Sequence, residues 1–480
     1  MSPTSVDLGI EISALSGVTQ DSRKVKKGYL FAALQGVGSN GRDYIPQALL
    51  AGASIILSDK TVSPDDVQGA QLVTSDNPRK NFAHIVSEYY NLKPSRIVAV
   101  TGTNGKSSVV HFADQLWRAA KEQGAFIGTL SGGMTTPDPV SLHETLSAQE
   151  KDGITHFALE ASSHGLEQYR MDGVRVDVAA FTSFSQDHLD YHADMNEYLA
   201  AKERLFSELL EEDGVAVLNA DIAEYVHLYD ICQQRGIQVV SYGEGGDDIQ
   251  LISREVDGVS QKIEIKLFGQ NYTLRLPLVG EFQVMNVLCA LGCVLSEYKS
   301  GDAKISAVLN AVEKLHGVPG RLQHVTSLDK KYNAYIDYAH TPDALDNVLK
   351  ALRPHVKGRL ICVFGCGGDR DRAKRPLMGM AAQNGADIVI VTDDNPRSEN
   401  PVDIRKQILD LMPLPAVKLY EVNERRSAIE FSVRQLQPND ILLVAGKGHE
   451  QGQIFDGFIE PFDDVCEVEA ALRKKEVLND

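Results

Sequence analysis

The segment Thr101-Gly-Thr-Asn-Gly-Lys-Ser107 places two glycines, a lysine and a hydroxyl in an order that suits phosphate chemistry. Glycines let a backbone approach phosphate oxygens closely, and a helix N-terminus offers unpaired N–H groups. Lys106 can neutralise β- and γ-phosphate charge, and the Ser107 hydroxyl can ligate Mg²⁺. Val100 stands where the full phosphate-loop pattern has its first glycine. The flanking sequence supports the loop nonetheless. The apolar run Ile97-Val-Ala-Val precedes it, and a helix is expected from Lys106 to about Gln123, with Val110, Ala113 and Trp117 on one stripe. Gly102, Thr103, Asn104, Gly105, Lys106, Ser107 and Ser108 are therefore the candidate nucleotide contacts.

Two polar clusters follow later strands. Glu160 ends Phe157-Ala-Leu-Glu and leads into Ala-Ser-Ser-His164, and Gln186-Asp187-His188-Leu-Asp190-Tyr-His192 follows the next apolar run. Both fall at the carboxyl ends of neighbouring strands, on the rim expected to carry Lys106. Mg²⁺ prefers carboxylate and phosphate oxygens, so Glu160 is its natural ligand and His188 a less usual one. Lys202, in Leu199-Ala-Ala-Lys-Glu-Arg, reads from spacing alone as a surface lysine, and His111 as a solvated residue on its helix. The tetrapeptide Asp-Asn-Pro-Arg occurs twice. Asp76–Arg79 precedes the helical run Asn81–Tyr90, where Asp76 or Asn77 can cap and Pro78 fits the first turn, a structural role. Asp394–Arg397 follows the buried strand Asp387–Val391, where Arg397 can bind a carboxylate through two parallel hydrogen bonds.

Three stretches must position these groups. Residues 1–94 read as a small α/β unit that includes the strand Ser54-Ile-Ile-Leu-Ser and ends at Lys93-Pro-Ser-Arg. Residues 95–317 alternate apolar strands (Phe157–Glu160, Val176–Phe184, Val215–Asn219, Gln238–Tyr242) with helices. Ser141-Leu-His-Glu144 fits a capping box, and Lys262–Leu267 with Tyr272–Leu276 forms an antiparallel hairpin. Residues 318–480 give a second open α/β sheet, with strands at Tyr335–Tyr338, Leu360–Phe364, Ile388–Val391, Lys418–Glu421 and Ile441–Val444. The fold class is thus α/β with mostly parallel sheets, whose ligands bind beyond the carboxyl ends of the strands.

Composition narrows the partners. The 480 residues carry a net charge of −18, which repels nucleic acid and anionic lipid headgroups. Small anions then need local cationic pockets. The six cysteines are too few and too scattered for a disulfide framework, and Cys289 and Cys293 sit four apart on an apolar helical pattern. The start of the chain lacks a signal-peptide pattern and no run of 18 apolar residues occurs, so a cytoplasmic protein is expected.

Taken in order, Thr101–Ser107, Glu160-Ala-Ser-Ser-His, Asp187-His-Leu-Asp, Asp337-Tyr-Ala-His-Thr-Pro-Asp343, Gly365-Cys-Gly-Gly-Asp-Arg370, Asp394–Arg397 and Gly446-Lys-Gly-His-Glu450 resemble the motifs of the Mur ligase family, from Asp21-Ser-Arg to Phe462-Asp-Asp. The resemblance implies an N-terminal domain for the UDP end of a substrate, a central ATPase and a C-terminal Rossmann-like domain for an amino acid. It implies an ATP-dependent ligase that activates a carboxylate as an acyl phosphate, using ATP and two Mg²⁺. It also recasts Lys202 as a carbamylated lysine that joins Ser107, Glu160 and His188 around metal, with Lys106, Glu160, His188 and Lys202 as the catalytic set.

By the same resemblance, Ser22 matches a uridine contact. Thr135, Thr136, Ser162, Gln168 and Arg170 match contacts to a muramoyl-dipeptide, and Asn286, Arg321 and Asp337 match nucleotide contacts. Arg370, Asp394, Asn395, Pro396, Arg397, Gly446 and Glu450 match a diaminopimelate site. Arg397 would attract the second carboxylate of diaminopimelate and disfavour the lone distal ammonium of lysine. A lysine-adding homologue and a folylpolyglutamate-synthetase-like ligase are the alternatives. The expected partners are small molecules, on a monomeric chain that neither binds nucleic acid nor inserts into a membrane.

Overall fold

Strands whose alternate residues feed two different cores set the architecture. In the computed structural model, which describes residues 8–36, 38–67, 69–131, 133–186, 191–299, 301–328, 331–412 and 417–479, Leu360, Cys362 and Phe364 enter one core. Their neighbours Ile361 and Val363 enter another. Side chains alternate across a strand, so a run apolar at every position marks a sheet covered on both faces.

Among the described residues the first sheet is parallel and ordered as in the sequence: β1 (Gly17–Thr19), β2 (Tyr29–Ala32), β3 (Ile55–Ser58), β4 (Gln71–Thr74). The next contains β5 (Arg96–Thr101), β6 (Gly124–Ile127), β7 (His156–Glu160), β8 (Val176–Phe181), β9 (Leu210–Asn219), β10 (Gln238–Gly243), β11 (Ile249–Asp257), β12 (Ser260–Leu267) and β13 (Gln270–Leu276). Its order is β13-β12-β11-β10-β9-β8-β5-β7-β6, parallel from β6 to β11. The third sheet takes β14 (Gln323–Thr326), β15 (Asn333–Asp337), β16 (Leu360–Phe364), β17 (Ile388–Val391), β18 (Lys418–Glu421) and β19 (Ile441–Ala445) in the order β14-β15-β19-β16-β17-β18. Only β14 in it is antiparallel to its neighbour. A hairpin of β20 (Gly452–Phe455) and β21 (Phe458–Pro461) follows. The chain forms two compact units: residues 1–251, 266–270 and 285–311, and residues 252–265, 271–284 and 312–480.

Local chemistry explains the element ends. Asn77 caps Pro78–Tyr89 by accepting from Lys80 N at 3.0 Å, and Arg79 donates to the Gln35 carbonyl, as its structural reading requires. The capping box expected at Ser141 gives way to an earlier start. Asp138 accepts from Val140 N and Ser141 N, and Pro139 opens the helix Pro139–Lys151. Pro needs no N–H partner at the first position, so Asp138-Pro139 outcompetes Ser141. The helix after the phosphate loop ends at Ala119, short of the expected Gln123, because the chain must turn before Gly124 opens β6. His111 is half-buried, with its ring edge-on to Phe126 at 5.5 Å. Five of the six cysteines are buried and Cys466 is exposed.

Two carboxylates tie this fold to pH. Glu208 falls from the ordinary 4.5 to about 2 through its hydrogen bond with Arg204, with Lys80 adding to it. Glu399 falls equally far on the buried Arg375. Groups with depressed folded pKa values stabilise above their unfolded pKa and lose that contribution as protons bind the folded state. The urea midpoint of unfolding is therefore expected to drop steeply as pH falls from about 4.5 to about 2. Glu399→Gln should make that acid limb shallower; an unchanged limb would remove Glu399 from the account.

Candidate active site

Strand β5 delivers the loop, and two glycines let it turn. Gly102 (φ +136°) and Gly105 (φ +91°) occupy backbone regions that side chains rarely adopt. A Cβ on Gly102 would collide with Thr182 Oγ1, and one on Gly105 with Asn286 Oδ1. Asn286, on the helix Glu281–Leu295, thus packs directly on the loop. The loop is further pinned by Thr103 N donating to Ser183 O at 2.8 Å and by Thr103 Oγ1 against Tyr198 OH at 3.2 Å.

The catalytic candidates within the described residues converge here. Lys106 Nζ donates to Gly102 O at 2.9 Å and Thr103 O at 2.8 Å. Lys202 is not a surface lysine. It is 1 % exposed, its Nζ donates to the same Gly102 O at 2.9 Å, and it lies 4.4 Å from the Tyr198 ring centroid. The helix Met195–Arg204 turns Lys202 inward together with Tyr198 and Ala201, four and one residues before it. Glu160 is buried at the end of β7. Its Oε1 accepts from Ser107 Oγ at 2.8 Å and Thr129 N at 2.9 Å, and only a glycine at position 128 leaves room for it. Ser107 and Glu160 thus bring two hard oxygen ligands together at the head of the helix Lys106–Ala119, a donor pair that suits Mg²⁺. His188, with Asp187 and Asp190, lies outside the described residues.

A polar network extends from Glu160. Thr136 Oγ1 donates to Glu160 O at 2.7 Å and meets Ser162 Oγ at 2.9 Å, while Thr135 Oγ1 meets Thr129 Oγ1 at 3.1 Å. Arg170 donates to Thr136 O at 2.7 Å and to Gln168 Oε1 at 2.8 Å, and Gln168 donates to Tyr191 OH at 3.0 Å. Burial lowers the Arg170 pKa, without threatening a guanidinium's charge. The Tyr191 and His164 rings meet at a tilt of 38°, with centroids 3.9 Å apart. Neither ring was singled out from sequence, although both stand inside motifs that were. Ser22 lies apart, on the short 3-10 helix Ser22–Lys24 after β1, where its hydroxyl donates at 3.0 Å to Gln47 Oε1 on the helix Ile45–Leu50.

The second unit holds the remaining candidates. Asp337, at the end of β15, accepts from Leu322 N and Ala339 N at 2.7 Å each, and burial pushes its carboxyl pKa upward. The Arg321 guanidinium lies 4.7 Å over the Tyr338 ring. Around the ends of β16, β17 and β19, Asn395 Nδ2 donates to Glu450 Oε2 at 3.0 Å. Arg397 Nη1 donates to Gly368 O at 2.8 Å, and Arg370 is exposed on that same Gly-rich loop. Asp394 is buried, with Oδ2 3.8 Å from Arg425 Nη1 and hard against Gly446, so it supports the loop from beneath. Pro396 is buried beside it.

Family models for the Mur ligase family catalytic domain, the Mur ligase middle domain and the Mur ligase glutamate ligase domain match residues 14–90, 100–294 and 320–448. The chain is 45 % identical over 474 residues to the UDP-N-acetylmuramoyl-L-alanyl-D-glutamate–2,6-diaminopimelate ligase of Caulobacter vibrioides, covering 95 % of each. It is 43 % identical to the ligase of the same name from Brucella melitensis, covering 95 % of this chain and 94 % of that one. This chain belongs to the Mur ligase family. A solved structure of a ligase of that name superposes with a TM-score of 0.75 at 34 % identity, over 96 % of this chain and 95 % of the other. The Mur ligase fold, with N-terminal, central and C-terminal α/β domains, accounts for the three successive, mostly parallel sheets. As a member of this family of ATP-dependent ligases, the chain is an enzyme.

Proposed function

We propose that this chain joins meso-2,6-diaminopimelate to the D-glutamate side chain of UDP-N-acetylmuramoyl-L-alanyl-D-glutamate in peptidoglycan precursor synthesis, in the cytoplasm. The observation that carries the reading is the gathering of Lys106, Ser107, Glu160 and Lys202 on one phosphate loop, in a chain so similar to curated ligases of that name.

A carboxylate is a poor acyl donor, since its leaving group would be oxide. Its oxygen attacks the γ-phosphorus of ATP, forming an acyl phosphate as ADP departs. Two anions must approach, and Lys106 offsets their repulsion with Ser107 and the loop N–H groups. The amine then attacks the acyl carbon. The tetrahedral intermediate expels phosphate, the C–N bond remains, and the amine's proton leaves. Mg²⁺, held by Ser107 and Glu160, would supply further charge neutralisation. Lys202 shares a carbonyl with the Lys106 ammonium, a repulsive arrangement for two cations. Its amine, by adding to CO₂ and releasing a proton, would form a carbamate that is attracted to Lys106 and can ligate a second Mg²⁺, together with His188.

Within this reading Ser22 binds the uridine end, and Thr135, Thr136, Ser162, Gln168 and Arg170 bind the muramoyl-dipeptide. Gly102–Ser108, Asn286, Arg321 and Asp337 bind ATP. Arg370, Asp394–Arg397, Gly446 and Glu450 form the diaminopimelate site. The domains divide near residues 94/95 and 317/318, and the active form is a monomer. No helix among the described residues is long and apolar enough to cross a membrane. The test is phosphate release from ATP with UDP-N-acetylmuramoyl-L-alanyl-D-glutamate present. Release should require added diaminopimelate, with L-lysine a poor substitute. Release independent of any amino acid would defeat the ligase reading.

A further inference from the structure

The motif Gly446-Lys-Gly-His-Glu450 contains a lysine with no assigned role. Lys447 is fully buried, yet its four-carbon stem carries a charge. Buried charges need partners. Lys447 has two: its Nζ donates to Asn395 Oδ1 at 2.8 Å and to Glu450 Oε2 at 3.2 Å. These are two residues of the diaminopimelate site.

The amide of Asn395 has one possible orientation. Ile454 N donates to its Oδ1 at 2.9 Å, and a backbone N–H cannot reverse its role. With Lys447 as second donor, both acceptor positions of Oδ1 are filled. The Nδ2 group therefore faces the other way, donating one hydrogen to Glu450 Oε2 at 3.0 Å. Asn395 can then offer a ligand only a hydrogen, which suits a carboxylate. Glu450, whose side chain is 36 % exposed, has Oε2 already occupied by Lys447 and Asn395. Only Oε1 is left for a ligand ammonium, on a carboxylate whose charge Lys447 largely cancels.

We propose that Lys447 is a positioning residue that sets amino-acid specificity, by fixing Asn395 as a donor and cancelling the Glu450 charge so that the site rejects a lone ammonium. The inference rests on the diaminopimelate reading. A ligand centre carrying both ammonium and carboxylate gains from Glu450 Oε1 and Asn395 Nδ2 together. A lysine side chain brings only the ammonium, and Lys447 weakens the attraction it would otherwise find. The neighbouring buried Arg425, bonded to Asp464 at 2.6–2.7 Å and facing Asp394 at 3.8 Å, also feels the Glu450 charge, but it is the same in every variant compared, so the comparison isolates Lys447.

The experiment compares Lys447→Met and Lys447→Gln with the unmodified full-length enzyme, with diaminopimelate and L-lysine as alternative substrates. Both variants should raise KM for diaminopimelate about tenfold, leave KM for ATP unchanged and raise kcat/KM for lysine several-fold. In the double variant K447M/E450Q the gain for lysine should vanish, because no uncompensated carboxylate remains. A purely structural role would lower turnover with both amino acids in parallel, and that result overturns the proposal. So does a lysine gain that survives in the double variant. If the unmodified enzyme turns over neither amino acid, the diaminopimelate reading itself fails, an outcome distinct from either.

Discussion

Replacing Lys106 with methionine should lower kcat for phosphate release by about 10³-fold while the protein still melts cooperatively. The ammonium is already held in the loop by the Gly102 and Thr103 carbonyls, at 2.9 and 2.8 Å. It therefore needs little reorganisation to meet the charge that develops as the γ-phosphoryl group transfers. A pre-organised cation of this kind stabilises a transition state by about 3–4 kcal/mol, more than it stabilises bound ATP. The loss should consequently fall on kcat, with KM for the amino acid little changed. Lysine is a compact point charge and arginine a planar fork, so Lys106→Arg should not restore the rate. A loss below tenfold in Lys106→Met would mean that Lys106 merely props the loop.

How much of this was legible in the sequence depended on whether the signal was local. The phosphate loop was, because glycine, lysine and serine act within one turn between a strand and a helix. The parallel strands were as well, since being covered on both faces makes them continuously apolar; Leu360–Phe364 and Ile441–Ala445 occur where such runs predict. Lys202 was not. Its inward turn depends on Tyr198 and on a carbonyl 100 residues earlier in the chain, and a helix interior in Leu-Ala-Ala-Lys-Glu-Arg looks the same whether it faces water or a loop. Residue-level spacing gave the surface reading; only the resemblance to a family corrected it. Lys447 was missed for a similar reason. Its partners, Asn395 and Glu450, come from the ends of different strands, and nothing local marks a lysine as buried. The helix start at Asp138 shows a third kind of miss, in which two adequate caps compete and the proline decides.

Replacing Arg397 with alanine should separate the two diamino acids. Arg397 sits at φ +50°, a backbone conformation costly for a residue with a Cβ, and its N–H donates to Ile454 O at 3.0 Å. Strain of about 1–3 kcal/mol persists only where the surroundings enforce it, and it gathers at sites that must hold one geometry. Here the twist lays Nη1 on Gly368 O at 2.8 Å, across a glycine at 367 whose Cβ would stand 2.8 Å from that nitrogen. One arm of the guanidinium is thus spent on the loop, which leaves Nε and Nη2 as a fork for a carboxylate. Alanine keeps the strained backbone and removes the fork. Losing a charged pair costs about 2–5 kcal/mol, so kcat/KM for diaminopimelate should fall by about 10²-fold or more. L-Lysine has no carboxylate to lose there and is relieved of a repelling cation, so its kcat/KM should hold or rise. Arg397→Lys keeps the charge without the two-point geometry and should fall between these limits. Equal losses for both amino acids would show that Arg397 shapes the Gly-rich loop and does not read the substrate.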